Sequence, residues 1–181
     1  MKKFSVRSLC VSGVLIALGF VCSLIKVIDL PMGGAVTLCS MFFISLIGFI
    51  FGPMVGFVSA LAYGLLQFIS NPYVLNIPQV ICDYFLAFGS LGISGLFWKT
   101  KNEKVGLTVG YLSSAFGRFV FSFLSGMIFF AEYVPENMAA PVYSFLYNGA
   151  YIGLEALITV VIINIAPFRR AILRIKNQSL E

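Results

Sequence analysis

The chain has 181 residues, of which 60% are hydrophobic and only 10% charged, and its mean hydropathy is +0.99. A soluble domain carries roughly 25% charged residues, so this composition cannot provide a water-compatible surface. Nineteen phenylalanines exceed what one core of this size needs, but they suit helix exteriors that face lipid. Composition therefore excludes a soluble protein and indicates an integral membrane protein in a lipid bilayer.

Apolar segments in chain order predict one all-α membrane domain over residues 1–181, a compact bundle of six transmembrane helices. A span needs about 20 apolar residues. The first is expected to be retained, because no small-residue cleavage site of a signal peptide follows it. Only Gly52-Pro53 separates the second span from the third. The predicted helices cover residues 8–26, 35–52, 53–71, 77–98, 106–131 and 140–166.

Basic residues predict the orientation, because short loops rich in Lys and Arg stay cytoplasmic. Six spans place ten of the twelve Lys and Arg on one side, which puts both termini in the cytoplasm. Asp29, Glu132 and Glu136 fall in loops on the other side. This topology accounts for the net charge of +5, so we expect no nucleic-acid partner. The cytoplasmic set is Lys2, Lys3, Arg7, Lys99, Lys101, Lys104, Arg169, Arg170, Arg174 and Lys176.

Motifs for covalent chemistry are missing from the sequence. It contains no histidine, no HExxH or GxSxG motif and no GxxxxGK[ST] phosphate loop, so the chain cannot itself hydrolyse ATP. We therefore expect no enzyme activity, no metal and no cofactor, and an energy source outside this chain. The four cysteines lie in apolar runs without metal-ligand spacing and are expected to pack within the membrane. They are Cys10, Cys22, Cys39 and Cys82.

Three ionisable residues lie inside predicted spans: Asp83, Arg118 and Glu155. Each costs about 2.5–3.5 kcal/mol on insertion scales, which makes it a functional candidate. Arg118 is expected to pair with one of the two acids, and the sequence does not decide which. The remaining carboxylate, beside aromatic side chains, would suit a flat cationic ligand held by charge and cation–π contact. The alternative is that the pair only holds the bundle together.

Polar and aromatic residues form faces on three predicted helices, because residues three or four apart are neighbours on a helix. These faces lie in the outer half of the membrane and predict an outward pocket. The loop after the first helix and the loop from Glu132 to Pro141 are expected to cap it. The faces are Gln79, Asp83 and Tyr84; Arg118, Ser122, Gly126 and Phe130; and Tyr143, Tyr147, Asn148, Tyr151 and Glu155.

Several stretches together resemble the thiamine-specific substrate-binding (S) components of energy-coupling factor (ECF) transporters, and the resemblance covers nearly the whole chain. It implies a vitamin receptor of a prokaryotic plasma membrane. Such a subunit captures its ligand outside and works with a transmembrane coupling subunit and two ATPase subunits. The stretches are Pro78–Tyr84, Gly89–Phe97, Ser125–Phe130, Tyr133, Tyr143-Ser144 and Asn148-Gly149.

The resemblance also implies roles for single residues. Asp83 stands where the family has a carboxylate, usually Glu, that hydrogen-bonds the aminopyrimidine, and Arg118 stands at a basic position, commonly Lys. In the first helix Gly13 and Ala17 match the small pair that contacts the coupling subunit. The positions of Tyr84, Gly126, Tyr143 and Asn148 match pocket positions directly.

Two positions depart from the family pattern. Phe130 replaces a tryptophan that stacks on the ligand, and Ser122 replaces a pocket histidine. Together with Glu155 these departures leave the ligand open between thiamine and a related pyrimidine, pyridine or other vitamin-like molecule. The residue pattern is also compatible with a stand-alone ion-coupled carrier, with a small intramembrane enzyme acting on lipid and with a purely structural subunit.

Overall fold

The computed structural model describes residues 5–180 and is helical apart from one short hairpin. Short 3₁₀ turns at Pro31–Gly33 and Ala131–Tyr133 lie in two of the connecting loops. The helices are α1 (Val6–Leu24), α2 (Ser40–Phe51), α3 (Pro53–Ser70), α4 (Ile77–Phe97), α5 (Glu103–Phe129), α6 (Ala140–Asn164) and α7 (Ala166–Leu180). The hairpin consists of β1 (Lys26–Asp29) and β2 (Ala35–Thr37).

Within residues 5–180, five helices are long and apolar enough to cross a membrane: α1, α3, α4, α5 and α6. Their outward surfaces carry many exposed Leu, Val, Ile and Phe side chains, as expected for helices in lipid. The predicted all-helical membrane architecture is therefore confirmed. The count of six spans and the cytoplasmic position of both termini stay predictions.

Helix α2 forms the centre of the bundle. All but one of its 12 residues are buried, the exception being the half-buried Phe43. A helix that is apolar on every side belongs inside a bundle, and α2 packs against α1, α3, α4 and α5. Gly52 links it to α3 with φ 93°, a conformation that glycine adopts without strain, and Pro53 then begins α3.

The beginning of α2 differs from the prediction. Residues 35–37, expected in the second helix, pair instead with β1 in antiparallel register, with Thr37 opposite Lys26 and Ala35 opposite Asp29. The chain then passes through Cys39, which has a left-handed backbone with φ 55°, before α2 begins at Ser40. The β-branched residues Val36 and Thr37 favour the extended strand over the helix.

The basic tail is helix α7, which the sequence prediction did not include. Its residue Lys176 is only 2% exposed. The Lys176 Nζ donates a hydrogen bond to the carbonyl oxygen of Trp98 at 3.0 Å and lies 3.2 Å from Glu103 Oε1. The same ammonium lies 4.0 Å from the centroid of the Phe49 ring. Lys176, one of the basic residues expected on the cytoplasmic side, thus attaches α7 to the end of the bundle where α4 ends and α5 begins.

Candidate functional site

A cavity of about 600 Å³ opens at the opposite end of the bundle, beside the hairpin. Its walls come from the end of α1, from the hairpin, from α3, from the first half of α4 and from the facing parts of α5 and α6. Eight of the nine predicted substrate-binding residues line this one cavity. They are Asp83, Tyr84, Arg118, Ser122, Gly126, Phe130, Tyr143 and Asn148.

The carboxylate of Asp83 is held by a neighbour on the same helix. Gln79, which is 1% exposed, donates from Nε2 to Asp83 Oδ2 at 2.6 Å. The same Nε2 donates to the Tyr73 carbonyl at 3.2 Å, while Gln79 Oε1 accepts from the Leu75 amide at 3.0 Å. Gln79 therefore fixes both the acid and the loop beside it, and its bond occupies only the Oδ2 atom of Asp83.

Helix α4 widens where it carries Asp83. Residues Ile81–Leu86 form a π-helical turn, in which the Ala87 amide donates to the Cys82 carbonyl. Such turns rotate the side chains that follow them and occur often at functional sites. The sequence pattern showed a continuous helix here and carried no signal for this turn.

Aromatic rings form the outer wall of the cavity. The hydroxyl of Tyr84 donates to the Asn71 carbonyl at 3.0 Å and accepts from the Tyr73 amide at 2.8 Å, so it holds the loop between α3 and α4. Tyr73 in turn stacks on Phe130, with ring centroids 5.6 Å apart. Tyr84 thus contributes its ring to the cavity, while its hydroxyl is occupied by the loop.

Arg118 corrects one expectation. Its guanidinium carbon lies 4.4 Å from the centroid of the Phe88 ring. In the part of the chain that the structure describes, the ion pairs are Lys26–Asp29 and Lys176–Glu103, and Arg118 pairs with neither Asp83 nor Glu155. Asp83 is bonded instead by Gln79, and Glu155 by residues 37–41. The cavity therefore contains a cation whose charge no carboxylate contacts.

Gly126 lets α5 and α6 approach each other at the cavity wall. A Cβ at this position would overlap Ser144 Oγ and lie 3.1 Å from Asn148 Nδ2. Asn148 donates to the Ser144 carbonyl at 2.9 Å and accepts from the Tyr151 hydroxyl at 3.0 Å. The side-chain amide is therefore locked in one orientation, and its environment depends on the missing side chain at Gly126.

Glu155 does not line the cavity, although the sequence placed it on the same face as Asn148 and Tyr151. It is 2% exposed and accepts hydrogen bonds from the segment that joins β2 to α2. The cavity ends at Tyr151, one helical turn before Glu155, because the beginning of α2 packs there. The structure thus brings Glu155 close to the other predicted site residues but not into the cavity wall, and its contact with a ligand stays a prediction without support from the lining.

Several lining residues were missed by the sequence prediction. Helix α3 contributes Tyr63 and Gln67, where Gln67 Nε2 donates to the Tyr63 hydroxyl at 2.6 Å. Their spacing of four residues was the available signal. Phe88 and Ser144 also line the cavity. Nothing in the residue pattern distinguished Phe88 from a packing residue, and Ser144 entered only as part of the stretch Tyr143-Ser144 in the family resemblance.

The predicted partner contact lies away from the cavity. Gly13 and Ala17 are both exposed on α1, and a Cβ at Gly13 would have no heavy atom within 4 Å. Exposed apolar neighbours, among them Val14 and Leu18, continue this surface. The small pair is therefore accessible to another helix.

Comparison with known proteins places the chain among transport proteins. The family model for thiamine transporter protein (Thia_YuaJ) matches residues 9–175. The thiamine transporter ThiT of Bacillus subtilis is 31% identical over 150 residues, 75% of this chain and 76% of that protein. The thiamine transporter ThiT of Lacticaseibacillus paracasei is 28% identical over 120 residues, 61% of this chain and 60% of that protein.

A solved structure of ThiT from Listeria monocytogenes has the same fold, with a TM-score of 0.72 at 21% identity, over 88% of this chain and 94% of the other. The bacterial relatives and the five long apolar helices make this chain a multi-pass protein of the plasma membrane. Because the family model spans most of the sequence, the chain belongs to the thiamine transporter protein family, whose members are transport proteins and not enzymes.

Proposed function

We propose that this chain is the S component of an ECF-type importer and that its cavity binds thiamine from outside the cell. The observation that carries the proposal is the cavity itself, which brings together eight predicted residues, seven of them from α4, α5 and α6 and the eighth, Phe130, directly after α5. Family membership and the names of the bacterial relatives support thiamine as the ligand.

The chemistry of thiamine fits the groups that surround the cavity. Its aminopyrimidine offers N–H donors, which suit the carboxylate of Asp83, and its two flat rings suit stacking on Phe130 and Tyr143. The thiazolium cation gains from aromatic faces and from a carboxylate at short range. Arg118, which contacts Phe88, retains N–H donors for the ring nitrogens or the hydroxyl oxygen of the ligand. Binding, without covalent chemistry, is the work proposed for this chain.

The proposed topology has six spans, with α2 as the short buried span and both termini in the cytoplasm. The Lys and Arg residues of the loop between α4 and α5 and of α7 support it, because they lie at the end opposite the cavity. The cavity then faces outward. The exposed pair Gly13 and Ala17 would contact the coupling subunit, and two ATPase subunits would supply the energy.

A related pyrimidine or pyridine is the second candidate ligand. It is favoured by the two departures from the family pattern that line the cavity, the phenylalanine at Phe130 and the hydroxyl at Ser122. Both reduce the bulk of the cavity wall relative to the tryptophan and histidine of the family.

Reconstitution into liposomes tests the proposal. We expect ATP-dependent thiamine uptake only when the coupling subunit and both ATPases are present, and no uptake by this chain alone under a proton gradient. Gly13→Leu should abolish uptake and leave thiamine binding intact, whereas the same change at Gly153, which also has open space around it, should affect neither. Gradient-driven uptake by the chain alone would instead identify an ion-coupled carrier.

A further inference from the structure

The hairpin β1–β2 needs support from outside itself. Its cross-strand partners are Lys26 and Thr37, Ile28 and Val36, and Asp29 and Ala35, with an irregularity between the first two pairs. All four residues of β1 are exposed. Isolated two-stranded hairpins are marginal in stability. Yet the hairpin contributes a wall of the cavity, from Met32 to Ala35 and at Thr37, so its position matters for any ligand.

Helix α6 holds the tip of the hairpin through Tyr147. The Tyr147 hydroxyl accepts a hydrogen bond from the Gly34 amide at 2.9 Å and donates one to the Pro31 carbonyl. A single rotatable hydroxyl makes both contacts.

The same helix holds the root of the hairpin, two turns further along, through Glu155. Its Oε2 accepts from the Thr37 amide at 3.0 Å and from the Thr37 hydroxyl at 2.7 Å. Its Oε1 accepts from the Met41 amide at 3.2 Å and from the Ser40 hydroxyl at 3.4 Å. Both carboxylate oxygens are thus occupied by donors from residues 37–41, where β2 ends and α2 begins.

The charge of Glu155 is balanced by backbone and not by a cation. Within residues 5–180 no Lys or Arg lies within ion-pair distance of this carboxylate. The beginning of α2 supplies the compensation instead, because the free N–H groups of a helix N-terminus carry a partial positive charge. All four partners of Glu155 are donors. A glutamine at position 155 would have one oxygen and one NH₂ group. The NH₂ group, a donor, would then face the donor N–H of either Thr37 or Met41.

We propose that Glu155 is a positioning residue, whose carboxylate fixes the root of the hairpin and so sets how long the cavity retains its ligand. Glu155 itself does not line the cavity. It acts through Thr37 and Ser40, which line the cavity and whose hydroxyl oxygens lie 2.7 Å apart, so that the Ser40 proton is shared between Thr37 Oγ1 and Glu155 Oε1. The effect on ligand retention rests on the proposed function, whereas the anchoring of the hairpin does not.

Hydrogen exchange of the ligand-free protein tests the anchor directly. Glu155→Gln should speed amide exchange in residues 35–41 by about tenfold or more, the effect expected for losing hydrogen bonds to a charged acceptor. Exchange in α4 should not change. Glu136→Gln, the same substitution at an exposed acid, should leave both segments unchanged. Unchanged exchange in residues 35–41, or an equal rise in every helix, would overturn the proposal.

Two further measurements complete the test. Thr37→Val keeps the backbone amide and the side-chain shape but removes one donor, so it should speed exchange in residues 35–41 by a smaller factor, about threefold. It carries the test if Glu155→Gln does not fold. In the presence of thiamine, Glu155→Gln should raise the dissociation rate about tenfold and change the association rate far less. If no variant binds thiamine, the proposed function fails while the exchange result still decides the role of Glu155.

Discussion

Replacing Gln79, which lines the cavity beside Asp83, with methionine should weaken thiamine binding, chiefly because Asp83 loses its partner. Methionine has a similar length and volume, so the buried space stays filled. It removes the bond of Gln79 to Asp83 at 2.6 Å and the two bonds to the loop at Tyr73 and Leu75. Asp83 then loses the contact that orients its carboxylate.

The magnitude follows from these three bonds. A hydrogen bond to a charged group contributes about 1.5–3 kcal/mol and a neutral one about 0.5–1.5 kcal/mol. The loop atoms at Tyr73 and Leu75 lie where water can replace a partner, so the loss at Asp83 should dominate. We expect a fall in thiamine affinity of about tenfold, which corresponds to roughly 1.4 kcal/mol.

Calorimetric titration of the detergent-purified variant measures this effect. The control is Gln178→Met, the same change at an exposed residue of α7, which should bind like the wild type. A Gln79→Met protein that unfolds at nearly the wild-type temperature and binds thiamine equally well would refute the reasoning, because Asp83 would then not depend on Gln79.

Two further substitutions test separate parts of the structure. Gly126→Ala should lower thiamine affinity about tenfold, because the new Cβ overlaps Ser144 Oγ and overpacking displaces that wall of the cavity; equal affinities in titration would contradict this. Lys176→Ala should lower the melting temperature by about 5 °C, because it removes the contacts with Glu103 and the Trp98 carbonyl, and it should leave thiamine affinity unchanged. The exposed Arg174→Ala serves as its control, and equal melting temperatures for the two variants would contradict the anchoring of α7.

Much of the site could be predicted from the sequence because its signals are charged or periodic. An ionisable residue inside an apolar span is costly, so Asp83 and Arg118 were visible at once. Helical spacing then identified Ser122, Gly126 and Phe130 as neighbours of Arg118, and the structure places all three in the cavity wall.

The remaining features depend on contacts between distant segments, which spacing along one helix does not reveal. Glu155 carries the same signal as Asp83, yet its partners lie more than 110 residues away at the beginning of α2. The hairpin was hidden because its second strand continues into the apolar run of α2. In the same way, the π-helical turn around Asp83 leaves no trace in the hydrophobic pattern of α4.

Calorimetric titration of thiamine into the purified wild-type chain and into Asp83→Asn tests the central claim most directly. Asparagine keeps the shape of the side chain and can still accept the hydrogen bond from Gln79, but it removes the negative charge of Asp83 from the cavity. We expect tight binding by the wild type and a loss of about 2 kcal/mol, roughly thirtyfold, in the variant. Equal affinity in both proteins, or no binding by a folded wild type, would contradict a thiamine site built around Asp83.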